Sequence, residues 1–314
     1  MSTFWLVCII IWSVAFLGVL IYFGLNLFFY RLSLSKNSIT RKILQYHIKN
    51  NYDLYAIDLD WFEKHKVTML SRKASDGTLL YGNFYERKGN KLAVICHGYG
   101  ADFREMCIYA KYFYNRGFSV LLPEFRGHGR SEGKVIGMGW LDRMDVKGWI
   151  EYMVERNPDY KIALFGLSMG ASTVCMTVGE ELPKNVKCAI SDCGYANAYE
   201  QFEDIVKKIK VVSSKMVMKM YNNFLQRAFY INLKNYDAVK QLKKAKIPML
   251  FIHGNKDEFV PFENLQKLYD AHPSEKHKYI YVCDGAKHAL SYQTNKREYE
   301  KRLGEFLEKE YYEK

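Results

Sequence analysis

The chain has 314 residues and a formal net charge of +12, and 49% of its residues are apolar. That length allows one large domain or two small ones, and that apolar share can bury a sizeable core; the composition excludes a disordered, collagen-like or disulfide-scaffold protein. The positive balance favours anionic partners, but no nucleic-acid recognition motif accompanies it, so no nucleic-acid partner is expected.

Residues 4–30 form an unbroken, uncharged apolar run. At about 1.5 Å per residue, a helix here outspans the roughly 30 Å hydrocarbon core of a bilayer. Trp5, Trp12, Tyr22 and Tyr30 suit the interfaces. No basic residue precedes the run, and it is too long for the apolar part of a cleaved signal peptide, so a transmembrane helix fits better. Arg31, Lys36, Arg41, Lys42 and Lys49 follow it. The excess of positive charge on that side places the rest of the chain in the cytoplasm, giving a single-pass membrane protein. The seven cysteines show no CxxC or CxxH pair, and several lie in apolar runs. Buried free thiols in a reducing compartment are expected, with no zinc site.

Residues 31–66 are polar, basic and aromatic, and read as a juxtamembrane helix and connector. From residue 67 short apolar runs alternate with helical patterns. Residues 67–87 read as two antiparallel strands around Ser75-Asp76-Gly77. Residues 91–98 are a buried strand, 102–117 a helix closed by Gly117, and 118–125 the next strand. A helix is expected over 140–156, a strand over 161–166, a helix over 168–182 and a strand over 186–192. Strands at 247–254 and 278–285 flank another helix, and a last helix covers 295–309. Such alternation predicts an α/β fold with a mostly parallel sheet covered on both faces, whose sites gather at the carboxyl ends of the strands.

At one such end stands Gly166-Leu167-Ser168-Met169-Gly170, between a predicted strand and a predicted helix. That context makes Ser168 the candidate nucleophile: a tight strand-to-helix turn exposes the serine, tolerates only small residues two positions either side, and aims the helix N-terminus at it. Serine needs a base, and the base an orienting acid. Asp257 follows a late strand and His288 follows the last one, so both lie at the correct edge of the sheet. Asp192 is the main rival acid, with Asp284 and Glu258 weaker. For the developing oxyanion, the backbone N–H groups of Met169 and of Tyr99, in His97-Gly98-Tyr99-Gly100, are the candidate donors. His97 is expected to brace that loop, His128 sits in a turn after a strand, and His253 ends the strand before Asp257. His47, His65, His272 and His277 read as solvated, and no histidine spacing suits a metal site, so no metal and no cofactor are expected.

These segments resemble the α/β-hydrolase superfamily. CHGYGAD is similar to its oxyanion loop, PEFRGHGRSEG to its D-x-R-G-x-G-x-S segment with Glu124 in place of the commoner Asp, and GLSMG to its nucleophile elbow. HGNKDEFVP and GAKHA are similar to its acid and histidine loops. The resemblance covers about residues 67–312, and within the superfamily it points to bacterial membrane-anchored hydrolases of the monoacylglycerol-lipase and prolyl-oligopeptidase-like branches. It implies a hydrolase domain over 67–314 with a helical cap insertion at 195–246, and two-step hydrolysis through an acyl-enzyme without a cofactor. Fold alone assigns no substrate.

Within the insertion, Phe202, Ile205, Ile209, Val212, Met216, Met220 and Phe224 recur at helical spacing, and lysines fill the other faces. An ordinary amphipathic cap helix is one reading, and a basic lid touching anionic lipid is the other. The functional expectation is a serine hydrolase cleaving carboxylic esters, with a small-molecule or lipid ester as substrate and the membrane as partner through residues 4–30. A peptidase or acyltransferase with the same three residues is the first alternative, and a non-catalytic scaffold the second.

Overall fold

The computed structural model describes residues 3–210 and 213–312. Its centre is an eight-stranded sheet. The strands are β1 (Thr68–Lys73), β2 (Leu79–Tyr85), β3 (Lys91–Cys96), β4 (Ser119–Glu124), β5 (Lys161–Leu167), β6 (Val186–Asp192), β7 (Met249–Gly254) and β8 (Lys278–Cys283). They lie in the order β1-β2-β4-β3-β5-β6-β7-β8. The β1–β2 and β2–β4 pairs are antiparallel, and every other pair is parallel. The first hairpin turns at Gly77, whose φ of +83° is a left-handed conformation that glycine adopts without strain.

The parallel strands carry apolar residues on both faces, as a sheet covered on both sides requires. Leu92, Val94 and Cys96 of β3, with Ile162 and Leu164 of β5, face one core. Ala93, Ile95, Ala163 and Phe165 alternate with them into the other. Helices α5 (Asp142–Arg156), α6 (Met169–Thr177) and α10 (Glu263–Ala271) cover the first face. Helices α4 (Cys107–Asn115) and α12 (Lys296–Leu307), the latter preceded by the short α11 (Ser291–Thr294), cover the second. The helix expected over 102–117 is α4 preceded by a single tight turn, Phe103–Met106, which the Asp102 carboxylate caps through the Arg104 N–H. All seven cysteines are free thiols, and six of them are buried.

The insertion differs from the expected continuous helix. It folds as α7 (Ala198–Lys208) and α8 (Ser214–Phe229), followed by α9 (Ala238–Leu242). The reason is local: Lys210 takes a φ of +55°, which ends α7, and Ser213 caps a new helix by accepting the Met216 N–H. The expected apolar stripe is therefore broken. Val212 lies outside the described residues, Ile209 and Met216 are exposed, and the residues α8 buries are Met218, Tyr221, Asn222, Phe224 and Leu225.

At the N-terminus, α1 spans Thr3–Ser33, longer than the apolar run itself. It is the one helix among the described residues long and apolar enough to cross a membrane. Its last turns pack on the cap: Tyr30 stacks on Phe229 at 4.3 Å, and the Phe23 and Phe29 rings meet Phe224 and Tyr221. The connector contains α2 (Ile39–Lys49) and α3 (Leu59–Lys64) and is docked on the domain. Leu34 is fully buried, the Ile136 N–H donates to Leu34 O at 2.7 Å, and the Lys36 N–H donates to Lys134 O at 3.0 Å. The Arg41 guanidinium donates to Lys36 O and Gly127 O.

Asp142, in the first turn of α5, is fully buried; one carboxylate oxygen accepts the Gly139 N–H at 2.8 Å and the other has no partner. Burial pushes its carboxyl up to about 7, with Asp145 adding to the effect and Arg126 opposing it. The native state thus holds this proton more tightly than the unfolded chain does. The stability that Asp142 contributes falls as pH rises from about 4 through about 7, where it is forced to ionise in a dry site. Asp142→Asn is expected to raise the melting temperature at pH 8 and to lose that advantage at pH 5. Thermal melts of both proteins at the two pH values check this.

Candidate active site

The serine loop is built by close packing. Ser168 follows β5 and opens α6 with φ +56° and ψ −117°, a conformation that costs a non-glycine residue about 1–3 kcal/mol and needs external support. Its own N–H donates to Asp192 O at 2.8 Å. A Cβ on Gly166 would stand 2.2 Å from Gly170 O, and one on Gly170 would stand 2.2 Å from Cys96 O. Both contacts are with backbone, which has no room to retreat, so glycine at these positions is what lets α6 begin against β3. Gly98 approaches from the other side: its Cβ would lie 3.5 Å from the Ser168 Cβ.

Ser168 Oγ lies 2.9 Å from His288 Nε2, and His288 Nδ1 lies 2.7 Å from Asp257 Oδ2. The loops after β5, β7 and β8 bring these three together. The other Asp257 oxygen accepts the N–H groups of Phe259 and Val260, both at 2.9 Å. His253 also reaches Asp257 Oδ2, at 3.1 Å through Nε2. Burial alone would raise the Asp257 carboxyl, but the hydrogen bonds from His253 and His288 outweigh it and hold the group well below the usual carboxylate range. An ionised Asp257 keeps the proton of His288 on Nδ1 and leaves Nε2 to accept from Ser168. The rival acids lie elsewhere. Asp192 accepts the Tyr299 hydroxyl at 2.9 Å, and burial pushes its carboxyl up to about 7. Asp284 accepts from the Asn255 amide.

Met169 follows the serine in the chain, and Tyr99 follows Gly98, which lies against the Ser168 side chain. The Tyr99 loop is braced by two histidines. His97 Nε2 accepts the Phe125 N–H at 3.1 Å, so its Nδ1–H donates to Gly98 O at 2.8 Å. His128 Nε2 accepts the Gly100 N–H at 3.1 Å, so its Nδ1–H donates to Arg126 O at 3.1 Å. Burial pushes both imidazoles down, and each is held neutral in a single tautomer. Glu124, in place of the commoner Asp, accepts from Arg130 and Asn83, and its carboxylate fills the space a side chain at Gly129 would need.

Two participants escape sequence reasoning. His253 reads there only as the end of a strand, although its four-residue offset from Asp257 across a tight turn is a usable signal. Cys193 has none: its Sγ, Asp257 and His288 offer ligand atoms all within 4.8 Å of one another. Burial keeps its thiol protonated, and the carboxylate and imidazole atoms beside it are engaged in their own hydrogen bonds. In this set Asp257 orients the His288 imidazole, and Cys193 packs beside them as a neutral thiol.

The profile of the family described as serine aminopeptidase, S33 matches residues 88–228 and 227–295. The chain belongs to this family of α/β-hydrolases. Its relatives include the uncharacterized protein YqkD of Bacillus subtilis, 24% identical over 87% of this chain and 88% of that one. Another is the uncharacterized protein YfhR of Escherichia coli K12, 26% identical over 68% of this chain and 70% of that one. Among solved structures, the Pyrococcus furiosus esterase Pf2001 superposes with a TM-score of 0.65 at 22% identity, covering 78% of this chain and 92% of its own. The Pyrococcus horikoshii acylaminoacyl peptidase does so with a TM-score of 0.60 at 18% identity, covering 80% of this chain and 43% of its own. The fold and the family make the protein a hydrolase.

Because the Gly170 contact is with backbone, Gly170→Ala is expected to destabilise the protein by about 3 kcal/mol or more. Urea unfolding of the variant beside the parent measures this.

Proposed function

We propose that the protein is a serine esterase that cleaves hydrophobic carboxylic esters through an acyl-enzyme, at a membrane that α1 spans. The observation carrying the chemistry is the line Asp257–His288–Ser168, with contacts of 2.7 and 2.9 Å, ending on a serine of positive φ. Ser168 Oγ attacks the ester carbonyl carbon and its proton passes to His288 Nε2. The carbonyl electron pair moves onto oxygen, where the Tyr99 and Met169 N–H groups stabilise it. Collapse of this adduct expels the alcohol, which takes the proton from His288, and leaves the acyl group on Ser168. Water then attacks by the same route and frees the acid. Asp257 stays ionised throughout and stabilises the imidazolium.

The preference for apolar esters rests on the surroundings. Helix α8 of the cap, against which α1 packs, exposes Met216 and Met220, and Phe259 lies 5.0 Å from the His288 ring. Such side chains suit an acyl chain better than a charged one. Membrane residence rests on α1, whose outward face from Phe4 to Leu20 is almost wholly apolar and exposed. The charges that follow it favour a cytoplasmic domain. A second reading, a peptidase with the same residues, draws on the family's description as aminopeptidases.

A fluorophosphonate probe is expected to label the parent and not Ser168→Ala. The parent is expected to hydrolyse medium or long p-nitrophenyl esters in preference to acetate, and to act on them faster than on aminoacyl p-nitroanilides. The reverse preference favours the peptidase, and a folded parent that neither labels nor turns over any substrate removes the catalytic reading. Asp257→Asn is expected to lower kcat by roughly 10³–10⁴-fold. In cells, the protein is expected to stay in the membrane pellet through alkaline carbonate extraction, and its domain to resist protease added outside intact spheroplasts. Release by carbonate, or digestion from outside, contradicts the anchor or its orientation.

A further inference from the structure

The Tyr99 loop has two weak points, and the N-terminal helix reinforces one of them. Tyr99 stands between Gly98 and Gly100, the latter at φ +71°, so neither neighbour restricts the backbone through a side chain. The peptide carrying the Tyr99 N–H is held at its oxygen end, where Gly98 O accepts from His97 Nδ1 and from the Ala101 N–H. Because the peptide is planar, its N–H points opposite that oxygen, and the remaining freedom is rotation about its Tyr99 end. The Tyr99 side chain is the handle on that end.

That handle is gripped by the segment leaving α1. The Tyr99 hydroxyl donates to Ser33 O at 2.7 Å and lies 2.8 Å from Ser38 Oγ. Ser33 closes α1, and Ser38 is the fully buried N-cap of α2. Ser38 is fixed in turn, since its Oγ accepts the Arg41 N–H and contacts Leu32 O. Ser33 is fixed by its Oγ, which donates to Phe29 O and meets the Tyr221 hydroxyl of α8 at 2.7 Å. Leu44 and Arg41 of α2 lie against the other side of the loop, within 3.1 and 3.4 Å of where a Gly100 Cβ would be.

We propose that Tyr99 is a positioning residue: through Ser33 and Ser38, the end of the N-terminal helix fixes the direction of the Tyr99 backbone N–H toward the oxyanion. The helix is then part of the hydrolytic site as well as a tether. This inference rests on the serine-hydrolase reading. Tyr99→Phe keeps the ring and the backbone donor and removes only the grip, whereas Ser38→Ala removes one half of it from the other side.

The test uses the full-length protein in detergent micelles, with a p-nitrophenyl ester and an arylboronic acid, which forms a tetrahedral anionic adduct on the serine. Tyr99→Phe is expected to lower kcat about tenfold and to weaken the boronate by about the same factor, with KM changed by less than about twofold. Ser38→Ala is expected to move kcat and boronate affinity together in the same direction by a smaller factor. A merely structural hydroxyl would lower the melting temperature without that pairing. The proposal is overturned if both variants keep kcat and boronate affinity at parental values, or if any loss falls on KM alone. A parent inert to ester and to fluorophosphonate overturns the hydrolase reading and this inference with it, whereas an active parent with unaffected variants overturns only the inference.

Discussion

Ser168 must hold a backbone conformation of positive φ where β5 turns into α6, and close packing on both sides holds it there. The turn brings α6 so near the end of β3 that a Cβ on Gly170 would collide with the Cys96 and His97 carbonyls. The strain is offset by contacts that a relaxed serine would break, among them the Ser168 N–H bond to Asp192 O. The next residue ties that strand end to its other neighbour, since the Cys193 N–H donates to Ile252 O in β7. Ser168 and the end of β7, which leads into the Asp257 loop, are thus fastened to the two sides of one strand end.

Around this point the buried polar groups divide into two kinds. Those that must be charged are paired: Arg126 makes a two-pronged contact with Asp145 at 2.7 Å and also reaches Asp76. Those that are held neutral are locked by hydrogen bonds that specify a tautomer, as with His97 and His128. Asp257 combines both features, a buried charge that also fixes the tautomer of its neighbour His288. It is buried and yet strongly acidic, because two imidazoles and two backbone N–H groups point at it. Low dielectric makes each of these contacts strong, and it makes any unpaired member costly.

The cap and the N-terminal segment extend this arrangement outward. Helix α7 reaches the acid loop, where the Gln201 amide donates to Phe259 O at 2.8 Å. Helix α8 meets the end of α1, which in turn meets the Tyr99 loop. One chain of contacts therefore runs from the apolar helix through the cap to both sides of the serine.

Much of this was decided by sequence alone. Alternating apolar runs determine a parallel sheet because each strand must bury both faces, and GLSMG between a strand and a helix determines where the serine stands because only glycine tolerates that crowding. Chain order favoured Asp257 and His288, with Asp192 as the rival acid, since parallel strands bring the loops after β6, β7 and β8 to one edge. The tertiary structure alone decided the rest. Asp192 and Asp257 are equivalent in sequence terms, and only packing turns one toward Tyr299 and the other toward His288. The even spacing of Phe202 to Phe224 suggested one helix, but spacing carries no information about a left-handed residue at Lys210. The grip of Ser33 and Ser38 on Tyr99 joins residues more than sixty positions apart. Local sequence sets the conformation of each partner, and only the folded chain sets the distance between them.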